Sequence, residues 1–171
     1  MPRGERSELC GESYLLRPIN GLEKVMKNDK VLVSGAVIFK EYRGKQTWLV
    51  VKRSEENGWE IPKTVVRKGE SSVKAAIRMM GEQGDMAAQV LEEAGRAGGS
   101  ISINGKVVPQ KNIYYLMMQR STGEILGFEK HKWLEYAKAA RRLGSKREQS
   151  MLKQAKKELR KWKKEQEAKI N

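Results

Sequence analysis

Residues 59–86, WEIPKTVVRKGESSVKAAIRMMGEQGDM, decide how this chain is read. Trp59, Glu60 and Ile61 read as a short strand that Pro62 stops, because proline has no amide hydrogen to extend a ladder. A basic loop with Lys63, Arg67, Lys68 and Gly69 follows and ends on Glu70. Ser71 or Ser72 can cap a helix, and Val73, Ala76, Ile77 and Met80 recur at spacings of three and four on one face. Gly81 and Gly84 weaken that helix and bring it to an early end. Strand, basic loop, capped helix and Gly-rich exit are, in this order, the parts a phosphate-handling unit needs.

On the N-terminal side, residues 30–42 (KVLVSGAVIFKEY) read as a strand buried on both faces. Gly35 in its middle implies a bulge or a close backbone approach. Residues 43–45 are a turn and 47–53 (TWLVVKR) the returning strand, with a polar loop at 54–58. Beyond the opening stretch, 87–93 admits helix or strand, and the two preceding glycines favour strand. Residues 95–99 read as a loop, 100–103 as an alternating strand, and Asn104-Gly105 as a hairpin turn into 106–108. Residues 112–119 form another buried strand, with a turn at 121–123. A short strand at 132–134 precedes a helix over 135–143 that Gly144 stops, and Ser145 caps a last helix to about residue 168. Strands, a helix, more strands and then helices describe an α+β or α/β/α sandwich built on a mixed sheet.

The chain has 171 residues, enough for one compact domain with a core. Its formal net charge of +14 favours anionic partners such as nucleotides or nucleic acid. One cysteine, Cys10, excludes an internal disulfide and points to a reducing, cytoplasmic compartment. No apolar run approaches a membrane span, and the first residues lack the apolar core of a secretory signal. The expected organisation is an N-terminal arm over 1–29, a domain over 30–160 and a basic helix end over 161–171. In the last helix Leu152, Ala155, Leu159 and Trp162 form the apolar stripe, and lysines beyond it could lie along RNA phosphates.

The opening stretch resembles the signature of the Nudix hydrolases. That pattern runs Gly, five residues, Glu, seven residues, Arg-Glu, an aliphatic, any residue, Glu-Glu, any residue, Gly, an aliphatic. Laid on this chain without a gap, it begins at Thr64 and ends at Met86. The run from His131 through Ala140, followed by Lys146 to Leu152, is similar to the ending of diadenosine-tetraphosphate-type members of the family. The resemblance covers residues 30–159 and implies a Nudix-type α/β/α sandwich with a mixed central sheet and a strand after the box helix. It also implies water attack on a nucleoside diphosphate-linked or dinucleoside polyphosphate substrate, assisted by Mg²⁺ or Mn²⁺.

A hard divalent cation takes oxygen ligands, and three carboxylates at i, i+3 and i+4 share one helix face. The family's three positions fall here on Met79, Glu82 and Gln83, so the box is degenerate. A thioether does not suit a hard cation, while Gln83 offers a neutral carbonyl oxygen. Glu82 and Gln83 are the candidate catalytic residues, and Glu82, Gln83 and Glu70 the candidate metal ligands. The resemblance makes Glu70 and Arg78 a structural ion bridge from loop to helix. Thr64 and Asp85 stand where the pattern has Gly. Glu92 and Glu93 would imitate the end of the box only after an insertion of about ten residues. Asp85, Glu124 and Glu129 are further acids, each most simply a surface group.

Lys52, Arg53, Lys63, Arg67 and Lys68 are the candidate phosphate cations, through charge-assisted hydrogen bonds. Trp59, Tyr114 and Tyr115 could stack a base or belong to the core. His131 has no Ser or Cys partner at a recognisable spacing and reads as a surface residue. Two functions follow: a divergent Nudix hydrolase with weakened or lost catalysis, or a non-catalytic Nudix-fold module binding nucleotide or RNA. The sequence leaves the oligomeric state open.

Overall fold

The computed structural model describes residues 30–171, so the arm expected over 1–29 lies outside the described residues. Six strands, β1 (Val31–Tyr42), β2 (Lys45–Lys52), β3 (Lys63–Val65), β4 (Met86–Ile103), β5 (Lys106–Thr122) and β6 (Lys130–Leu134), form one sheet. Its order is β4-β5-β1-β2-β6, with β3 paired to β1 off this path. β1 runs parallel to β5 and antiparallel to β2 and β3, so the sheet is mixed. Helix α1 (Ser72–Gly84) covers one face; α2 (Tyr136–Arg142) and α3 (Lys146–Ile170) cover the other. The α/β/α sandwich expected from the sequence is what the chain adopts.

The period-two alternation of β1 separates the two cores. Ala36 and Ile38 pack with Ala76, Met79 and Met80 of α1, while Val37 and Phe39 pack with Ala139 of α2 and Leu152, Ala155 and Leu159 of α3. Gly35 is the expected close approach: a Cβ there would lie 2.5 Å from the Tyr114 ring. Asn104 and Gly105 both have positive φ, as the tight hairpin turn between β4 and β5 requires. No described helix is long and apolar enough to cross a membrane.

Three local expectations are corrected. Trp59 and Glu60 make only single bridges, and the strand lies beyond Pro62, as β3. Proline lacks a donor but its carbonyl accepts from Ala36 N at 2.9 Å, so the chain changes partner from β2 to β1 around it. Residues 95–99 are not a loop but the middle of β4. Their glycines let α3 approach: a Cβ would lie 2.9 Å from Met151 Sδ at Gly95, and 2.9 Å from Arg147 Nη1 at Gly99. The buried face of α1 carries Ala75, Ala76, Met79 and Met80, whereas Ile77 is 46 % exposed. The last helix, expected to about residue 168, is α3 and runs to Ile170.

Candidate functional site

The loop between β3 and α1 is held at both ends. Ser71 Oγ accepts from Lys74 N at 3.3 Å and caps α1. Glu70 Oε1 accepts from Arg67 N at 3.1 Å, which closes the loop on itself. Arg78 Nε and Nη2 donate to Glu70 Oε2 and Oε1 at 2.8 and 3.0 Å, and Nη2 also reaches Val65 O at 3.2 Å. This fork joins the strand end, the loop and the helix through one guanidinium. The Arg78 hydrogen bonds hold the Glu70 carboxyl below its usual range, against an opposing push from burial.

The three helix positions expected to face a metal differ in kind. Met79 is 0 % exposed and lies in the apolar cluster with Ile125 and Phe128. Glu82 is exposed, with Oε2 3.6 Å from Arg78 Nη1. Gln83 Oε1 is buried with no hydrogen-bond partner among the described residues. Residues 123–128 lie against this end of α1: Gly127 N donates to Gln83 O at 2.9 Å and Gly123 N to Asp85 O at 2.8 Å. A Cβ on Gly127 would lie 2.5 Å from Gln83 Cα, so only glycine allows this approach. Asp85 ends the helix in the left-handed region, with φ 44°.

Among the described residues no group of three or more Asp, Glu, His or Cys side chains is placed to hold a metal ion. Glu70 is occupied by Arg78, and Met79 contributes a thioether to the core rather than a donor. These side chains do not fit the carboxylate-rich divalent-ion site of a Nudix hydrolase. The alternative through Glu92 and Glu93 is overturned, because α1 has ended and both stand on β4. Glu92 lies opposite Leu116, and Glu93 pairs with Arg96 at 2.6 Å. Asp85, Glu124, Glu129 and His131 are all exposed.

The five candidate phosphate cations are not brought together. Arg67 and Lys68 are exposed on the loop. Arg53 donates from Nε to Glu60 Oε1 at 3.0 Å and from Nη2 to the Lys63 carbonyl, and its guanidinium lies 5.5 Å from the Phe128 ring centroid. The Lys63 ammonium, expected toward phosphate, points to α3, where it meets Glu148 Oε2 at 2.8 Å and Glu60 Oε2 at 3.2 Å. Lys52 lies beside Trp59, its Nζ 5.7 Å from the ring centroid.

Glu148 is the residue that sequence reasoning missed. It is nearly fully buried, and it accepts from Ile61 N at 3.0 Å and from the Tyr114 hydroxyl at 3.2 Å besides Lys63. Burial pulls the Lys63 ammonium down, but the Glu148 and Glu60 carboxylates more than offset it and hold its pKa above the ordinary value. Burial and the neighbouring Glu148 carboxylate push the Tyr114 phenol up. The pattern Ser145-x-x-Glu148 was a visible helix-start signal, and Ser145 Oγ does accept from Glu148 N at 3.4 Å. The carboxylate, however, is turned inward to β3. Tyr114 is thereby core, while Tyr115 is half-buried and bonds Ser72 Oγ through its hydroxyl.

A mixed-sheet α/β/α sandwich whose loop and helix are clamped by a Glu–Arg fork is the frame of a Nudix-type domain. The chain belongs to the Nudix family: the family model for the NUDIX domain matches residues 31–155. It is similar to the Ap4A hydrolase of C. elegans in a binary complex, with 24% identity and a TM-score of 0.62, over 75% of this chain and 97% of that one. It is also similar to the NUDIX domain of Shewanella oneidensis NrtR complexed with ADP ribose, with 17% identity and a TM-score of 0.61, over 76% and 88% of the two chains. The E. coli dihydroneopterin triphosphate pyrophosphohydrolase aligns with 16% identity and a TM-score of 0.58, over 72% and 92%. These likenesses concern the fold. No curated protein matches this chain.

Proposed function

We propose that this Nudix domain binds a nucleoside diphosphate-linked or dinucleoside polyphosphate ligand, with hydrolysis weakened or lost. The observation that carries this reading is the fate of Met79, buried among Ile125 and Phe128 where the family pattern asks for a carboxylate. Glu82, paired with Arg78, and the neutral Gln83 are left as the only oxygen donors at the three positions. One charged donor on a helix is a poor site for Mg²⁺ or Mn²⁺, so no catalytic step is assigned through a metal. Arg67 and Lys68, exposed on the clamped loop, are the cations available to ligand phosphates; Lys63 and Arg53 are engaged in the fold. Retention of the Glu70–Arg78 fork supports a loop still held in shape for a ligand.

The test pairs turnover with binding. Purified protein is offered nucleoside diphosphate derivatives and dinucleoside polyphosphates with Mg²⁺ or Mn²⁺, and phosphate products are quantified. Binding is measured by calorimetry on the same ligands. Expected are micromolar or weaker binding, lost in the Arg67→Gln/Lys68→Gln variant, and little or no turnover. Efficient turnover abolished by Glu82→Gln would overturn the loss of catalysis.

A further inference from the structure

On the face of the sheet opposite α1, three cations converge on one indole. Lys52 Nζ, Lys132 Nζ and the Arg142 guanidinium lie 5.7, 5.4 and 5.7 Å from the Trp59 ring centroid. They come from three elements: the end of β2, the middle of β6 and the end of α2. None of the three forms an ion pair among the described residues, although Glu55 close by pairs with Lys130 at 3.0 Å. Cations gathered round a half-buried indole repel one another, and only part of that is offset by the ring. An anion placed between them would relieve the repulsion.

The same face carries a second pair of this kind. Lys156 Nζ lies 4.0 Å from the Tyr136 ring centroid, and Tyr136 opens α2, which Arg142 closes. The two aromatic–cation pairs are thus at opposite ends of one short helix, roughly 9 Å apart along its axis. Lys153, Lys157 and Arg160 are exposed on the neighbouring α3 and extend the positive field. A polyphosphate alone would use the cations but not the exposed parts of the two rings, whose other parts pack on the core. A chain that alternates phosphates with flat bases uses cations and rings together.

We infer that this edge, centred on Trp59, Lys52, Lys132 and Arg142, is a binding site for single-stranded nucleic acid. Phosphates sit among the three cations, and a base lies against the part of Trp59 that they and the core leave exposed. The site lies across the sheet from the Arg67–Lys68 loop and stands or falls independently of the ligand proposed there.

The experiment is fluorescence anisotropy of the full chain with a labelled oligouridine, repeated over a salt series. For single strands, each phosphate contact contributes about 0.7 to the slope of log K against log salt. Lys52→Gln/Lys132→Gln/Arg142→Gln is therefore expected to lower the slope by about 2. Trp59→Ala is expected to weaken binding about 5- to 150-fold with little change in slope. Trp59 packs on the core, so Lys132→Glu, at an exposed position and checked for an unchanged Tm, serves as the second variant, and it should weaken binding at low salt. An unchanged slope in the triple variant, or unchanged binding in Lys132→Glu, overturns the inference. So does inorganic tripolyphosphate displacing the oligonucleotide from parent and Trp59→Ala alike at equal concentration, which would mark a simple anion site.

Discussion

Replacing Glu148 by Gln keeps the shape of a buried side chain and removes its charge. In the parent, Oε1 accepts from Ile61 N and Oε2 from both Lys63 Nζ and Tyr114. A glutamine can still accept from Ile61, but its amide group then faces an ammonium that is itself a donor. Removing one partner of a buried ion pair costs about 3–5 kcal/mol. Lys63 keeps Glu60 at 3.2 Å, which places the expected loss at the low end, about 3 kcal/mol. In a domain of this size that is roughly 6–12 °C in Tm. Thermal and urea unfolding of Glu148→Gln, Lys63→Met and the double variant form a cycle. The double variant should be less destabilised than the sum of the singles, by about 1–3 kcal/mol. A Tm within about 2 °C of the parent, or strict additivity, would refute the claim that this carboxylate holds β3 to α3.

Alkaline unfolding should reveal the same cage. A lysine whose native pKa is raised adds stability that is complete below its ordinary value of 10.5 and fades as pH climbs toward the native one. Stability measured from pH 8 to 12 should therefore fall less steeply above pH 10 in Lys63→Met than in the parent. Glu70 has the opposite sign: its lowered pKa gives stability that is present above about 4.5 and lost as pH drops through the native value. Urea midpoints between pH 2 and 6 should lose part of their acid slope in Glu70→Gln, and hydrogen exchange at Arg67 and Glu70 should accelerate. Met79→Leu should cost under about 1.5 kcal/mol, whereas Met79→Glu, which puts a carboxylate into the same apolar cluster, should cost several; equal Tm values for the two would show that the site is open to solvent. Gly127→Ala should lower Tm and loosen residues 123–128, because its Cβ meets the Gln83 backbone; an unchanged Tm would mean the loop can shift freely.

The doubly buried strand β1, the Asn104-Gly105 turn and the Ser71 and Ser145 caps were legible because each depends on a few neighbouring residues. The Glu70–Arg78 fork was legible through the resemblance to the Nudix pattern. What escaped was long-range. Gly95 and Gly99 look like loop residues until α3 is known to press on them. Lys63 looks like a phosphate ligand until Glu148, distant in sequence, is seen to claim it. The buried face of α1 was misassigned at Ile77 because the same spacing rule admits Met79, and its neighbours Ile125 and Phe128 arrive from a separate loop.

The Lys63–Glu148 contact spans 85 residues. During synthesis at about 5–20 residues per second, the loop-bearing strand waits roughly 4–17 s after its own emergence for the carboxylate that completes it. Over that interval Glu60, three residues earlier, is the carboxylate among the described residues that remains to pair with the Lys63 ammonium. The closing of α3 onto the sheet is thus the step at which β3 acquires its full anchorage. A nascent chain halted before residue 148 would be expected to expose residues 59–70 to protease, and one released beyond α3 to protect them.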